Sequence, residues 1–179
     1  MITLLSAILT LLLADGARAE QPTREITARA GVAGVGSLGA LPSTLRFSQE
    51  IAVDRRKRWG GPSYALVLRE EVPGGPSDFG LSASFKTSWR ILLSPGSSLA
   101  PFASLGYQGF YSPSFSGHFG LAQIGVVGTV WQSRRLGFWI QSPAVEFVFK
   151  EFLLYTRVAF SVGVVVRFGS SARAGGPRG

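Results

Sequence analysis

One part of the sequence could carry covalent catalysis, the region around its single histidine. The absence of cysteine excludes a thiol nucleophile, a disulfide framework and cysteine-ligated metal centres. His118 could act as a general base, with Ser114 and Ser116 close in sequence and Glu146 as the nearest acid in the following segment. The position two residues beyond His118, on the same face of an extended strand, is Gly120 rather than a serine. We therefore predict no catalytic residue, no metal site and no cofactor.

Charged residues form a second group with chemical potential. They share the less apolar face of three alternating segments, as the pairs Arg46 and Glu50, Lys86 and Arg90, and Arg157 and Arg167. Glu50 is the only acid deep within a clear segment. Because an enclosed charge needs a partner, we expect Glu50 to pair with Lys86 or Arg157.

The elements that carry these residues are predicted to be β-strands. In Phe79–Ile91 the bulky apolar residues occupy every second position, and Gly, Ser, Lys and Arg fill the alternate ones. Gly- and Pro-rich turns divide the chain into eight such segments, and strands of nine to eleven tilted residues cross a bilayer. The predicted strands are Glu25–Gly36, Leu45–Asp54, Ser63–Glu71, Phe79–Ile91, Leu99–Phe110, His118–Trp131, Leu136–Phe149 and Phe152–Phe168. The sixth shows apolar residues in both phases, the seventh is interrupted at Ser142-Pro143, and 144–155 could instead form a short helix.

The N-terminal segment is predicted to be removed on export. Residues 2–14 are almost wholly apolar and are followed by Ala17-Arg18-Ala19, which is typical of a signal peptide cleaved after Ala19. About 13 apolar residues are too few for a spanning helix, which would be the alternative, an uncleaved anchor. The remaining chain carries no run of spanning length. The organisation predicted is a signal peptide (1–19), a strand domain (20–168) and a flexible tail (169–179).

Composition and aromatic placement favour a membrane barrel over a soluble sheet. The chain is 46% hydrophobic and 16% charged, and its small, polar strand face suits a narrow interior while the large apolar face suits lipid. If both termini lie on the periplasmic side, the four tryptophans fall at one membrane interface and three tyrosines (Tyr107, Tyr111 and Tyr155) at the other. The predicted interfacial tryptophans are Trp59, Trp89, Trp131 and Trp139.

The pattern over residues 25–168 resembles the small eight-stranded outer-membrane barrels of Gram-negative bacteria, the OmpA/OmpX type. The run 159–168, which ends in Phe168, is similar to that family's last strand, whose aromatic end is read by the barrel-assembly machinery. The resemblance implies an all-β fold, an eight-stranded antiparallel up-and-down transmembrane β-barrel after a cleaved signal peptide, in the outer membrane. This chain departs from the family pattern because it continues for eleven residues beyond Phe168.

For function, the resemblance implies a non-enzymatic barrel with a narrow, mostly filled interior, a structural or envelope role, and slight passage of small solutes at most. The charged face is read either as a gated pore or as side chains that fill the interior. One alternative is a barrel enzyme that modifies lipid A through His118. The other is a secreted lipocalin-like calyx, in which Phe79, Leu81, Phe85 and Trp89 would face inward around a hydrophobic ligand.

The expected partners follow from charge and location. The chain carries a formal charge of +8, and the basic turn Arg55-Arg56-Lys57-Arg58 lies at the same predicted end as Arg134-Arg135. These residues are read either as a surface for lipid phosphates or as a solvated turn that orients the barrel. Nucleic acid is excluded as a partner because the chain is exported and carries no nucleic-acid motif. We expect contacts with outer-membrane lipids, assistance from the assembly machinery and a monomeric state.

Overall fold

The computed structural model describes residues 24–37, 44–55, 60–72, 78–94, 96–113 and 115–168, and all of its regular elements there are strands. They are β1 (Arg24–Ser37), β2 (Thr44–Arg55), β3 (Gly60–Val72), β4 (Phe79–Ser94), β5 (Ser97–Ser112), β6 (Phe115–Trp131), β7 (Leu136–Lys150) and β8 (Leu153–Phe168). Over these ranges no helix is long and apolar enough to cross a membrane. The eight predicted strands are confirmed. The predicted signal peptide, 1–19, and the tail, 169–179, lie outside the described residues.

The strands close into a single antiparallel barrel. Each pairs with the next along the chain, and β8 pairs with β1 from Ile26↔Phe168 to Ser37↔Arg157. A circuit along directly paired residues starts at Ile26 of β1 and returns to β1 at Gly36, ten residues further on. It runs through Val53, Tyr64, Thr87, Ala103, Ile124, Val145 and Val158. This stagger means that the strands are tilted to the barrel axis, as closure requires.

The alternation of side chains is inside out relative to a soluble barrel. In β4 the exposed fraction is 57% for Phe85, whereas the flanking Ser84 and Lys86 are 2% and 3% exposed. Large apolar side chains cover the outside of the other strands too, while the interior holds small, polar and charged residues. Phe79, Leu81 and Trp89 are also exposed on the outer face, so the calyx alternative is wrong.

The two irregular segments have a geometric explanation. The register between β7 and β8 shifts between Gln141 and Ala144, where Ser142 and Pro143 both face outward, so the inward phase changes by one residue. β7 then continues to Lys150, and the suggested helix over 144–155 is therefore wrong. In β6 the mixed phase arises because Leu121 and Val127 are buried inside the barrel while their neighbours face lipid.

An apolar cluster occupies part of the interior. Phe102, Val127, Trp139, Ala144 and Val165 are buried together, and Trp131 packs against them. The partners Gly31 and Gly163 provide room beside the Trp139 ring, because a Cβ at Gly163 would lie 2.6 Å from the Gly31 Cα and 2.8 Å from Trp139 Nε1.

This cluster corrects the predicted tryptophan girdle. Trp139 is 7% exposed and its indole nitrogen donates to the Val164 carbonyl at 3.2 Å, so it points into the barrel. Trp131 lies on the inward face of β6, and only Trp89 of the described tryptophans is largely exposed on the outer face, at 53%. Trp59 lies outside the described residues. The sequence pattern did not distinguish the two faces, because a strand read with one phase through Ser142-Pro143 assigns Trp139 to the wrong face.

Candidate functional site

The interior of the barrel carries eleven buried charged side chains in the described part of the chain. Six are cationic (Arg29, Arg46, Arg69, Lys86, Arg90 and Arg157) and five are acidic (Glu25, Glu50, Asp54, Glu71 and Glu146). Strand alternation puts them inside, since each occupies the parity opposite to the exposed apolar residues of its strand. In a closed barrel these charges have no bulk water around them, so their stability depends on their partners. They are distributed between the distal end of the barrel, where the β5–β6 and β7–β8 turns lie, and the terminal end, where β1 begins and β8 ends.

Near the distal end two carboxylates hold two arginines. Glu71, 2% exposed, accepts hydrogen bonds at 2.8 Å from Thr44 Oγ1, Arg46 Nη2, Gln108 Nε2 and Arg157 Nη1. Such a carboxylate uses nearly all of its lone-pair positions.

Glu146 closes the same network from β7. It is fully buried, accepts from Arg46 and from Arg157 Nη2 at 3.1 Å, and receives a further bond from Gln123 Nε2 at 3.0 Å. Four charged groups on β2, β3, β7 and β8 therefore tie opposite walls of the barrel together. We call Arg46, Glu71, Glu146 and Arg157 the distal network.

Four consecutive strands contribute the charges at mid-height. Glu50 of β2 binds Arg29 Nη1 of β1 at 2.5 Å and Lys86 Nζ of β4 at 2.6 Å. Arg69 of β3 is 5% exposed, and its two hydrogen bonds go to neutral groups, Ser84 Oγ at 3.1 Å and Gln123 Oε1 at 2.6 Å. We call Arg29, Glu50, Arg69 and Lys86 the central group.

At the terminal end the described side chains include two acids and two arginines. Arg90 lies 3.5 Å from Asp54 and 3.7 Å from Glu25, and Arg167 pairs with Glu25 while its guanidinium stacks 3.8 Å above the Trp131 ring. The stacking adds a cation–π attraction to the ion pair between Arg167 and Glu25.

The six predicted interior residues fall into three separate groups along the barrel, and only some of the expected pairs form. Glu50 contacts Lys86, one of its two predicted partners, whereas Arg157 binds Glu71 and Glu146. Arg46 joins the distal network, and Arg90 and Arg167 meet at the terminal end through Glu25.

Several interior charges were missed. The expectation that Glu50 is the only deep acid is wrong, because Glu71 and Glu146 are buried more completely. The inward direction of Glu71 could have been predicted, because it lies two residues from Arg69 on the same face of the third segment. Glu146 was hidden by the phase change in the seventh.

The basic turn is only partly visible. Arg55 is the last residue of β2, and Arg56, Lys57 and Arg58 lie outside the described residues. Arg134 and Arg135 are exposed in the turn between β6 and β7, at the same terminal end.

The possible acyl-transfer constellation is not assembled. His118 lies on the outer face of β6, where its Nδ1 contacts the Tyr107 hydroxyl and its ring meets Tyr111 edge-on at 6.1 Å. Glu146 lies inside the barrel and is bound to arginines, so the sheet separates it from His118. Ser116 is exposed and Ser114 lies outside the described residues. In the described part of the chain no group of three or more His, Asp or Glu residues could hold a metal ion.

Comparisons with known proteins bear on the fold. No protein-family model and no curated protein matches the sequence. Among solved structures, the chain is similar to Neisserial surface protein A (NspA), with a TM-score of 0.54 and 16% identity over 82% of this chain and 98% of that chain.

Two further structures are of the same kind. Ail, the attachment invasion locus protein of Yersinia pestis, has a TM-score of 0.54 and 12% identity over 83% of this chain and all of that chain. A major outer membrane protein from Thermus thermophilus has a TM-score of 0.52 and 11% identity over 82% and 100%. Together with the closed eight-stranded topology and the apolar exterior, these similarities show that the chain has the fold of the small outer-membrane β-barrels.

Proposed function

We propose that this outer-membrane barrel serves a non-enzymatic, structural role in the envelope, with an interior that passes small solutes slightly at most. The observation that carries the proposal is the filled interior. The distal network spans the barrel between opposite walls, and the apolar cluster around Trp139 fills the side formed by β5–β8. Eight strands enclose only enough space for side chains, so this filling leaves no wide aqueous path.

The interior charges support this role as a structural network. Arg46 and Arg157 each bind both Glu71 and Glu146, so each charge lost would leave buried partners uncompensated. We read Arg46, Glu50, Lys86, Arg90, Arg157 and Arg167 as members of this structural arrangement rather than as a gated pathway.

The surroundings of the barrel follow from its surface. Outer-membrane lipids cover the apolar face, and the basic turn (Arg55–Arg58) with Arg134 and Arg135 is proposed to face acidic headgroups at the terminal end. We propose that the chain is exported and cleaved after Ala19. The barrel-assembly machinery then inserts it, guided by the strand that ends in Phe168. A closed barrel needs no second chain to satisfy its backbone, which supports a monomer.

Heat-modifiability tests the fold and location together. Membranes from cells that express the full chain are separated into inner and outer fractions, and each fraction is run on a detergent gel with and without boiling. We expect the protein in the outer-membrane fraction, with a mobility that changes on boiling. A soluble protein whose mobility is unaffected by boiling would overturn the proposal.

The absence of enzymatic activity has its own test. Expression of the chain is expected to leave the acylation pattern of lipid A unchanged by mass spectrometry. A loss or gain of acyl chains that disappears in His118→Ala would replace the structural role with the lipid A-modifying alternative.

A further inference from the structure

The central group contains more positive than negative charge. Arg29, Arg69 and Lys86 are 9%, 5% and 3% exposed, and one carboxylate, Glu50, lies among them. Each Glu50 oxygen accepts one hydrogen bond, one from Arg29 and one from Lys86. Three buried cations and one anion leave a formal surplus of two positive charges at mid-height.

The neighbouring layers do not supply the missing negative charge. In the distal network, Glu71 and Glu146 are matched by Arg46 and Arg157. At the terminal end, Asp54 and Glu25 are matched by Arg90 and Arg167. The surplus is therefore local to the central group among the described residues.

Hydrogen-bond donors in the central group are also incompletely used. Nε of Arg29 is buried and has no hydrogen-bond partner. Arg69 donates only to neutral acceptors, Ser84 and Gln123, although a guanidinium has five N–H donors. Ser84 is on the same strand face as Lys86, two residues away, so Arg69 contacts the face of β4 that carries Lys86.

The central group lies next to the apolar cluster. Lys86 Nζ lies 4.6 Å from the centre of the Phe102 ring, which belongs to the apolar cluster. Taking several like charges out of water without a counter-charge is strongly unfavourable. The lipid hydrocarbon around the barrel contains no ions, so a compensating charge can enter only through the interior.

We propose that the central group binds a small monovalent inorganic anion, of the size of chloride, between Arg29, Arg69 and Lys86. The anion offsets one of the two surplus positive charges and accepts hydrogen bonds from the unused guanidinium N–H groups. A small size is required because eight-stranded interiors are otherwise filled by side chains. The site is a structural ion site within the barrel and goes beyond the proposed envelope role.

The test compares anions at constant ionic strength. The full chain is folded in detergent micelles, and the fraction folded is followed against temperature by gel mobility in sodium chloride, sodium bromide and sodium gluconate. We expect chloride and bromide to raise the unfolding midpoint saturably, by about 3 °C or more, relative to gluconate, which is too large to enter. Equal midpoints in the three salts would overturn the proposal.

Matched variants separate a bound anion from a general salt effect. Arg69→Gln removes one surplus charge while keeping polar atoms, and we expect it to abolish most of the chloride dependence. Arg90→Gln alters the charge-balanced terminal end and is expected to retain it. A chloride dependence of the same size in both variants would show a general salt effect and contradict the site.

A direct measurement covers the case in which Arg69→Gln does not fold. Crystals of the wild-type chain grown in sodium bromide are expected to show an anomalous bromide peak within hydrogen-bonding distance of Arg69 or Lys86. The absence of an interior peak, with bromide present at saturating concentration, would overturn the proposal irrespective of the variants.

Discussion

At the scale of single residues, two adjacent glutamates have opposite roles because strand alternation sends them to opposite faces. Glu71 accepts five hydrogen bonds inside the barrel, whereas Glu70 is half-buried on the outer face. Glu71→Gln leaves Arg46 and Arg157 with only Glu146 as a charged partner, and we expect it to destabilise the barrel by about 3 kcal/mol. Urea titration of folding into lipid vesicles measures the change.

Glu70→Gln is the matched control for this variant. It removes the same charge one residue away, at a position that does not belong to the distal network, and is expected to change stability by less than about 0.5 kcal/mol. A similar loss in the two variants would mean that net charge, rather than the interior network, determines the stability.

A second residue-scale feature lies in the tight turn between β7 and β8. Glu151 has a φ of 51°, a conformation that glycine adopts without the steric cost of a Cβ. Glu151→Gly is therefore expected to stabilise the barrel by about 0.5–1 kcal/mol in the same urea titration, and Glu151→Ala is expected to give no such gain. If Glu151→Ala stabilised the barrel equally, the gain would come from loss of the carboxylate charge rather than from the backbone conformation.

At the scale of elements, the strand boundaries could be predicted because period-two alternation and Gly/Pro turns are local signals. The faces on which Trp139 and Glu146 lie could not be predicted from the sequence. They depend on the register shift at Ser142-Pro143, which only the pairing with β8 reveals. The partners of Arg157 were equally out of reach, because Glu71 lies 86 residues away in sequence and is brought close only when the barrel closes.

The alternation of β2 gives an element-scale prediction. Gln49 lies on the outer face between Phe47 and Ile51, while its neighbour Ser48 has the inward parity and donates to the Gly31 carbonyl at 3.5 Å. Because a primary amide facing hydrocarbon is unfavourable, we expect Gln49→Leu to stabilise the barrel in vesicles by about 1 kcal/mol. Ser48→Leu should destabilise it by overpacking the interior, by about 1–3 kcal/mol. The opposite pair of signs would mean that β2 presents its other face to lipid.

At the scale of the whole molecule, closure and side-chain filling together determine whether the barrel conducts. Strand pairing leaves no edge, so ions can cross only along the axis, where Phe102 and Trp139 lie on one side and charged residues line the other walls. We expect the wild-type chain in planar bilayers to give no steady current steps.

The apolar cluster is the part of this filling that can be removed without leaving unpaired charges. Truncation of Phe102 and Trp139 to alanine opens a cavity next to polar interior residues such as Gln141 and Thr129, which water can then hydrate. The double variant Phe102→Ala/Trp139→Ala is expected to show discrete current steps, provided that its gel mobility still changes on boiling. Phe85→Ala/Trp89→Ala removes a similar side-chain volume from the lipid face and is expected to show no current steps. Current steps of the same size in the wild-type chain would mean that the interior is open despite the cluster, and that its charged residues line a pathway.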